Sequence, residues 1–278
     1  MTKGVLIFAQ NNSEIDYAKI SLYTAMRVKE FLQVPVTLVT DSKDWLLDSQ
    51  PTAADVFDRI ISIDSDTTQT KKFYDGTLAS KTLTWKNLNR ADCYDLSPYN
   101  ETLVIDSDYI ISSNNLSAVW SSPKNFLIYR DSFDLAQWRD DSSFRYLNQL
   151  SIPFYWATAF YFKKTQDTES FFNLVKYIKQ NWSYYRALYN IDSTVFRNDF
   201  AFSIALNMMG EEFFGKLPGK MNYILDRDVL VKIKENSFQF LVEKKNYSGE
   251  YVATKTTGLD MHIMNKYSLV RCINEVLV

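Results

Sequence analysis

The apolar positions of this chain fall into short unbroken runs separated by amphipathic stretches. Residues 4–9, Gly-Val-Leu-Ile-Phe-Ala, form the first run, of the kind expected for a strand buried on both faces. Residues 16–32 follow with Ile20, Tyr23, Met26, Val28 and Phe31 at near-helical spacing, which predicts a helix. Runs at 36–39, 59–63 and 102–105 predict further strands, and residues 77–91 predict a helix ahead of the last of them. Strand and helix in alternation predict a parallel sheet covered by helices. Ligands of such sheets collect beyond the carboxyl ends of the strands, which is where Gln10, Asp41 and Asp106 fall.

The second half is less regular. Residues 125–129 and 157–162 predict strands, and 168–182 and 199–208 predict helices, but beyond Leu217 the pattern weakens. No Pro/Gly/Ser-rich linker, charge block or internal repeat marks a boundary, so 1–278 is expected to be one domain with an irregular C-terminal part. At 46% apolar and 15% aromatic residues the chain has ample material for a core. With 31 basic and 33 acidic residues it has no broad attraction for nucleic acid or anionic lipid. Cys93 and Cys272 cannot form a disulfide framework or a zinc site, which suits a reducing compartment. The run at 4–9 is too short for a signal-peptide core or a membrane span, so a soluble, cytoplasmic protein without membrane contact is expected.

Several motifs lead nowhere. Residues 210–217, GEEFFGKL, imitate a phosphate loop, but Leu217 replaces the metal-binding hydroxyl and Glu211 and Glu212 would repel phosphate. A helix end followed by a turn is the better reading. No GxGxxG occurs, and no nucleophile elbow accompanies the single histidine, His262.

Asp-x-Asp occurs three times, at 64–66, 106–108 and 226–228. The first is followed by the polar stretch 66–72, and the third flanks Arg227, so both read as solvated turns. Asp106 and Asp108 instead lie between Leu103-Val104-Ile105 and Tyr109-Ile110-Ile111. In extended chain, side chains two residues apart point to the same side, and two buried carboxylates there need a counter-charge such as a bound cation. A second signal comes late, where His262 is followed by Lys266, with Asp260 and Asn265 placed to orient the ring. An isolated histidine is most often a hydrogen-bonded core residue, but such a residue has no need of a neighbouring lysine. The two signals together suggest a divalent-metal site that handles a diphosphate.

The strand at 4–9, Asp106-Ser107-Asp108 after the fourth strand, Asp199 near a helix start and the late His262 and Lys266 resemble the GT-A-fold glycosyltransferases, above all family 8 with its glycogenin-like and galactosyltransferase members. Residues 3–41 and 198–206 are also similar to glycosyltransferase-like proteins of large tailed bacteriophages, which implies the cytoplasm of an infected host. The resemblance implies an α/β, Rossmann-like, mostly parallel sheet flanked by helices, with 1–112 as the nucleotide-binding half and 113–278 on the acceptor side. It implies that Asp106, Asp108 and His262 hold Mn²⁺ or Mg²⁺, with Ser107 beside the cofactor, and that Lys266 grips the diphosphate during catalysis. The family's His, Gly, Lys-Pro-Trp is here His262-Ile263-Met264-Asn265-Lys266. By the same resemblance Ala9, Gln10 and Asn11 meet the base and ribose, Lys81 faces the nucleotide from the preceding helix, and Asp199 lies near the reacting sugar. The alternatives are a solvated surface lysine for Lys81 and a helix N-cap for Asp199. Trp156 and Thr158 fall where the family contacts the sugar, although Trp156 also suits a core.

The expected activity is metal-dependent transfer from a nucleoside diphosphate sugar, a UDP-sugar, to an acceptor left open among a modified DNA base, a glycan and a protein side chain, and the family resemblance implies a retaining outcome. The net charge of −2 argues against a large DNA footprint, and the sequence does not set an oligomeric state. A sugar nucleotidyltransferase is the alternative enzyme, but it would carry a Gly-rich, basic segment where this chain has Gln10-Asn11-Asn12-Ser13-Glu14. A non-catalytic nucleotide-sugar-binding protein is the other alternative.

Overall fold

The apolar run near the start of the chain forms strand β1 (Lys3–Ala9), buried from Gly4 onward. Helix α1 (Tyr17–Phe31) follows, capped by the Asp16 carboxylate, which accepts the Lys19 amide at 2.8 Å. Then come β2 (Val36–Thr40), the short helices α2 (Lys43–Ser49) and α3 (Ala53–Val56), and β3 (Arg59–Ser62). The computed structural model describes residues 2–64, 69–86, 89–148, 152–244 and 249–277.

The helix expected over 77–91 is not formed. In its place a hairpin of β4 (Thr70–Asp75) and β5 (Ala79–Thr84) turns at Gly76, whose φ of +68° suits glycine. The ribbon buries Phe73 and Leu83 but leaves Thr70, Lys71, Lys72, Ser80, Lys81 and Thr82 exposed, so it lacks the apolar alternation that announces a strand.

Next are α4 (Cys93–Leu96), β6 (Glu101–Asp106), β7 (Tyr109–Ile110), β8 (Phe126–Tyr129), β9 (Ser132–Asp134) and β10 (Trp156–Lys163). Helices α5 (Gln166–Gln180), α6 (Trp182–Leu188) and α7 (Asn198–Met209) follow. Gly210, at φ +86°, ends α7, so the GEEFFGKL segment is a helix end and turn as expected. The chain closes with β11 (Gly215–Lys216), β12 (Met221–Ile224), β13 (Val229–Lys234), β14 (Ser237–Glu243), β15 (Tyr251–Thr257), β16 (Met261–Ile263) and α8 (Lys266–Val276).

The main sheet has the order β11-β8-β10-β6-β1-β2-β3 and is parallel except for β10, which runs against both β6 and β8. Helix α1 packs on β1 and β2, while α7 packs on β10 and against α5. The expected mostly parallel sheet flanked by helices is therefore present. Among the described residues no helix is long and apolar enough to cross a membrane. Cys93 and Cys272 are both free and buried.

The C-terminal part is regular, contrary to expectation. One four-stranded sheet, β7-β16-β12-β9, joins it to the middle of the chain, and β13-β14-β15 form an antiparallel meander. Strand β14 buries Phe238, Phe240 and Val242 in alternation, but it lies between strands rich in lysine and threonine, which blurs the pattern. Asp228 pins this region. It is fully buried, pairs with the Arg139 guanidinium (Nη1 at 2.8 Å), and accepts the Leu225 and Glu243 amides, each at 2.9 Å.

Breaking a buried pair strands its partner charge, so Asp228→Ala is expected to cost ~3–5 kcal/mol in urea unfolding. Lys216→Ala removes an exposed pair with Asp131 at 2.8 Å and is expected to cost below about 1 kcal/mol. Similar losses from the two changes would show that Asp228 does not anchor the C-terminal sheets.

Candidate functional site

Strand β6 is buried through Leu103, Val104 and Ile105 and delivers Asp106 to its open end. Asp106 pairs with Arg90, which is 1% exposed and also donates to the Ala157 carbonyl. Asp108, 4% exposed, pairs with the Lys266 ammonium, and the His262 Nε2 lies 3.4 Å from its Oδ2. Burial alone would raise the Asp108 pKa, but Lys266 and His262 outweigh it and hold the carboxyl far below the usual range. Burial pushes the His262 pKa down, and Asp108 only partly offsets this, so the ring is neutral at pH 7. Arg90 is pushed down to about 10 by burial, partly countered by Asp199 and Asp108, and stays charged.

His262 reaches Asp108 through strand pairing. Residue 262 of β16 lies opposite Tyr109 of β7, and the Ile263 amide donates to the Asp108 carbonyl at 3.0 Å. One ligand atom from each of Asp106, Asp108 and His262 lies within 4.8 Å of the others. The His262 Nδ1 is buried without a hydrogen-bond partner. Two carboxylates and a neutral imidazole converging in this way fit a divalent cation.

Asp260 and Asn265 do not orient the ring, because backbone groups claim them first. Asp260 accepts the Ser112 amide at 2.7 Å and the Ser113 hydroxyl at 3.1 Å. Asn265 caps α8 by accepting the Ser268 amide at 2.9 Å and donates to the Asp228 carbonyl at 2.7 Å. The ring instead meets the Trp156 indole nearly edge-on, at 6.2 Å between centroids. Trp156 is at once core, packed against Phe144, Phe154 and Tyr223, and part of the cleft wall.

These groups line one cleft of about 1050 Å³, open solvent at its mouth included. Gln10, Ser107, Thr158, Asp199 and Lys266 line it too. Ala9 is buried in β1. Asn11 is committed to the loop after β1: its side chain accepts the Ala18 amide at 2.9 Å, and its own amide donates to Asp41 at 3.1 Å. It faces a neighbouring cleft with Asp41, Trp45 and Asp64. Asp66 lies outside the described residues. Asp199 is not a helix N-cap. It sits in the first turn of α7, accepts the Ala157 amide at 2.9 Å and pairs with Arg197 at 2.7 Å.

Lys81 lies on exposed β5, paired with Glu14 at 3.0 Å and outside the cleft, because the helix meant to carry it is a hairpin. The cleft draws its positive charge from Lys71, Lys86, Arg90 and Arg197 besides Lys266. No spacing in the sequence singles these four out. Lys71 keeps solvent contact, yet its surroundings strip enough water from it, with Lys266 and Arg197 adding repulsion, to push its ammonium down to about 8. The third Asp-x-Asp is no solvated turn, since Asp226 lines the cleft and Asp228 is the buried partner of Arg139. Arg227 turns aside, its guanidinium 4.7 Å from the Tyr74 ring centroid. Burial raises the Asp226 pKa against the pull of Lys71 and Lys266.

No family model and no curated protein matches the sequence. Among solved structures the chain is similar to the glycosyltransferase GlyE of Streptococcus pneumoniae, at 14% identity and a TM-score of 0.45, over 78% of this chain and 45% of that one. The chain thus spans less than half the length of that protein. It is also similar to the galactosyltransferase LgtC, solved with donor and acceptor sugar analogs, at 10% identity and a TM-score of 0.46, over 77% of this chain and 72% of the other. A candidate glucose-1-phosphate thymidylyltransferase from Bacillus anthracis, in complex with a sucrose, matches at 10% identity and 0.46, over 99% and 95%. Scores this low leave the chemistry to be argued from this chain's own residues.

Proposed function

We propose that this protein is a metal-dependent glycosyltransferase that moves a sugar from a nucleoside diphosphate sugar, a UDP-sugar, to an acceptor. The observation that carries this reading is the convergence of Asp106, Asp108 and His262 in a cleft that also presents Lys71, Arg197 and Lys266. A divalent ion, Mn²⁺ or Mg²⁺, held by the three would supply positive charge to the diphosphate oxygens. As the bond to the anomeric carbon breaks, negative charge grows on the diphosphate, and cations already in place stabilise it without reorganising. Lys266 is the best positioned. Its ammonium is fixed by Asp108 and donates to the Ile263 carbonyl at 3.2 Å, at the first residue of α8. Gln10 and Ser107 take the nucleotide side of the cleft, and Ala9 and Asn11 shape that side through the backbone and loop they build. Asp199, its two oxygens fixed by Ala157 and Arg197, is an oriented acceptor for a sugar hydroxyl.

The nucleotidyltransferase alternative needs free donors in the loop after β1 to cradle phosphate. Here that loop is folded on itself, with the Glu14 and Ile15 amides both spent on the Asn12 side chain, at 3.0 and 2.9 Å. This favours glycosyl transfer.

UDP is expected to raise the melting temperature in the presence of Mn²⁺ and not with excess chelator, by the equivalent of about 2.7 kcal/mol at 100 times Kd. Asp106→Asn and Asp108→Asn should each remove that shift, whereas Lys81→Ala should keep it. An unchanged shift in chelator would end the metal reading.

Lys266→Ala should lower kcat by about 100-fold while weakening donor binding far less, since the charge it meets grows along the reaction. Steady-state kinetics at saturating donor measure this, and an unaltered kcat would move Lys266 out of the chemistry.

Lys71 sets a pH dependence. Its ammonium is charged below about 8 and lost above it, so Mg²⁺-supported UDP affinity should fall between pH 7 and 9. The charged groups around it are Lys266, Arg197, Asp226 and Asp108. Calorimetry on Lys71→Met should give weaker binding at pH 7 and a flatter profile, and parallel profiles would clear Lys71 of contact with the diphosphate.

A further inference from the structure

A second cleft lies against the first, and Arg197 lines both. Its other walls include Phe144, Tyr146, Asn190, Asp192 and Phe200. The loop that carries Asn190 and Asp192 is tied down on two sides. Arg186 donates to the Ile191 carbonyl at 3.1 Å and the Asp192 carbonyl at 3.2 Å, and the Asn148 amide donates to the Asn190 carbonyl at 3.2 Å. Phe200 is stacked on Trp182 at 6.0 Å with only 9° between the rings, and the Arg197 guanidinium lies 5.1 Å from its centroid. Phe144 is held by Trp156 at 4.7 Å. Tyr146 is half exposed and presents an aromatic surface to solvent. The cleft is therefore built before any ligand arrives.

Its chemistry is selective. Aromatic side chains and uncharged polar groups dominate, and the charged members are Asp192 and Arg197, the latter already paired with Asp199. A polyanion such as DNA needs several cations facing its phosphates, and among the described residues this lining has only Arg197. A pyranose ring has an apolar C–H face and a rim of hydroxyls, which match aromatic surfaces edged by hydroxyl, amide and carboxylate groups. Arg197, which the two clefts share, is paired in the first with Asp199.

Resting on the glycosyl-transfer reading above, we propose that the second cleft is the acceptor site and that it takes a neutral oligosaccharide. In the transfer, an acceptor hydroxyl oxygen bonds to the anomeric carbon of the donor sugar while the bond from that carbon to the diphosphate oxygen breaks. The hydroxyl proton passes to the departing diphosphate.

Saturation-transfer NMR on the full chain, without donor, tests the cleft with maltotriose, cellotriose, chitotriose and lactose, and with a short single-stranded DNA as the polyanion. The expected result is millimolar binding of at least one saccharide, weakened about tenfold by Tyr146→Ala and abolished by Ser143→Trp, which sets an indole in the cleft wall beside Phe144. Both positions are exposed, and unaltered melting temperatures establish that the variants are folded. No saccharide binding by the wild type, equal binding by wild type and variants, or DNA binding that the variants weaken would each overturn the proposal. The Mn²⁺-dependent UDP shift, read on the same samples, separates the two readings. A shift without saccharide binding defeats the acceptor cleft alone, whereas saccharide binding at this cleft without a shift defeats glycosyl transfer.

Discussion

An ionised carboxylate as buried as Asp108 costs several kcal/mol unless opposite charge is brought against it, and the chain brings that charge from its far end. Lys266 brings the charge, and it arrives with the neutral His262 because β16 pairs with β7, an alignment fixed by the hydrogen bond from Ile263 to the Asp108 carbonyl. Asp106 is met from the other side by Arg90, which is anchored to the Ala157 carbonyl. Each carboxylate thus has its own cation. A divalent ion among Asp106, Asp108 and His262 would take over part of that neutralisation and leave Arg90 and Lys266 free to face an anion. Among the described residues the cleft has five cationic side chains against four carboxylates, so the added charge would turn a nearly balanced site into a strongly attractive one for diphosphate.

The hairpin of β4 and β5 belongs to the same arrangement. Asp75 near its tip is gripped by Arg271 at 2.6 and 2.8 Å, and the Thr77 amide donates to the Tyr251 hydroxyl at 2.9 Å. On the opposite strand Lys81 pairs with Glu14 in the loop after β1. The ribbon therefore reaches from the first strand of the main sheet to the C-terminal unit, carrying Lys71 and Phe73 into the cleft wall between these ties. Lys81 meets Glu14 from outside the cleft.

The legible parts of the sequence were those where burial on both faces or on one helical stripe left a strong period. Strands β1, β2, β3, β6, β8 and β10 and helices α1, α5 and α7 all lie where apolar runs or helical spacing predicted them. The hairpin is illegible in the sequence because its faces are largely exposed, Leu78 at its tip included, so no apolar alternation marks its strands. Asp106, Asp108 and His262 could be picked out because carboxylates between apolar runs and a lone histidine near a lysine are conspicuous. Asp226 is masked in the sequence by the adjoining Arg227, whereas the fold places Asp226 in the cleft wall and the Arg227 guanidinium over the Tyr74 ring. Arg90, Lys71, Lys86 and Arg197 had no local signature at all, since only the tertiary fold makes their positions special.

One reversal of direction in the main sheet explains why the two halves of the site meet. The carboxyl ends of parallel strands share an edge, and an antiparallel strand begins at that same edge. Strand β10 runs against β6 in a register that pairs Ala159 with Ile105, so Trp156, Ala157 and Thr158 at its start lie level with the turn that holds Asp106 and Asp108. Helix α7, packed on β10, brings its first turn to the same level, where Asp199 accepts the Ala157 amide and pairs with Arg197. Had β10 been parallel, its start would lie at the opposite edge, and Arg90 would lose the Ala157 carbonyl that steadies it beside Asp106. The antiparallel strand therefore joins the carboxylates of the first half to the Arg197–Asp199 wall of the second.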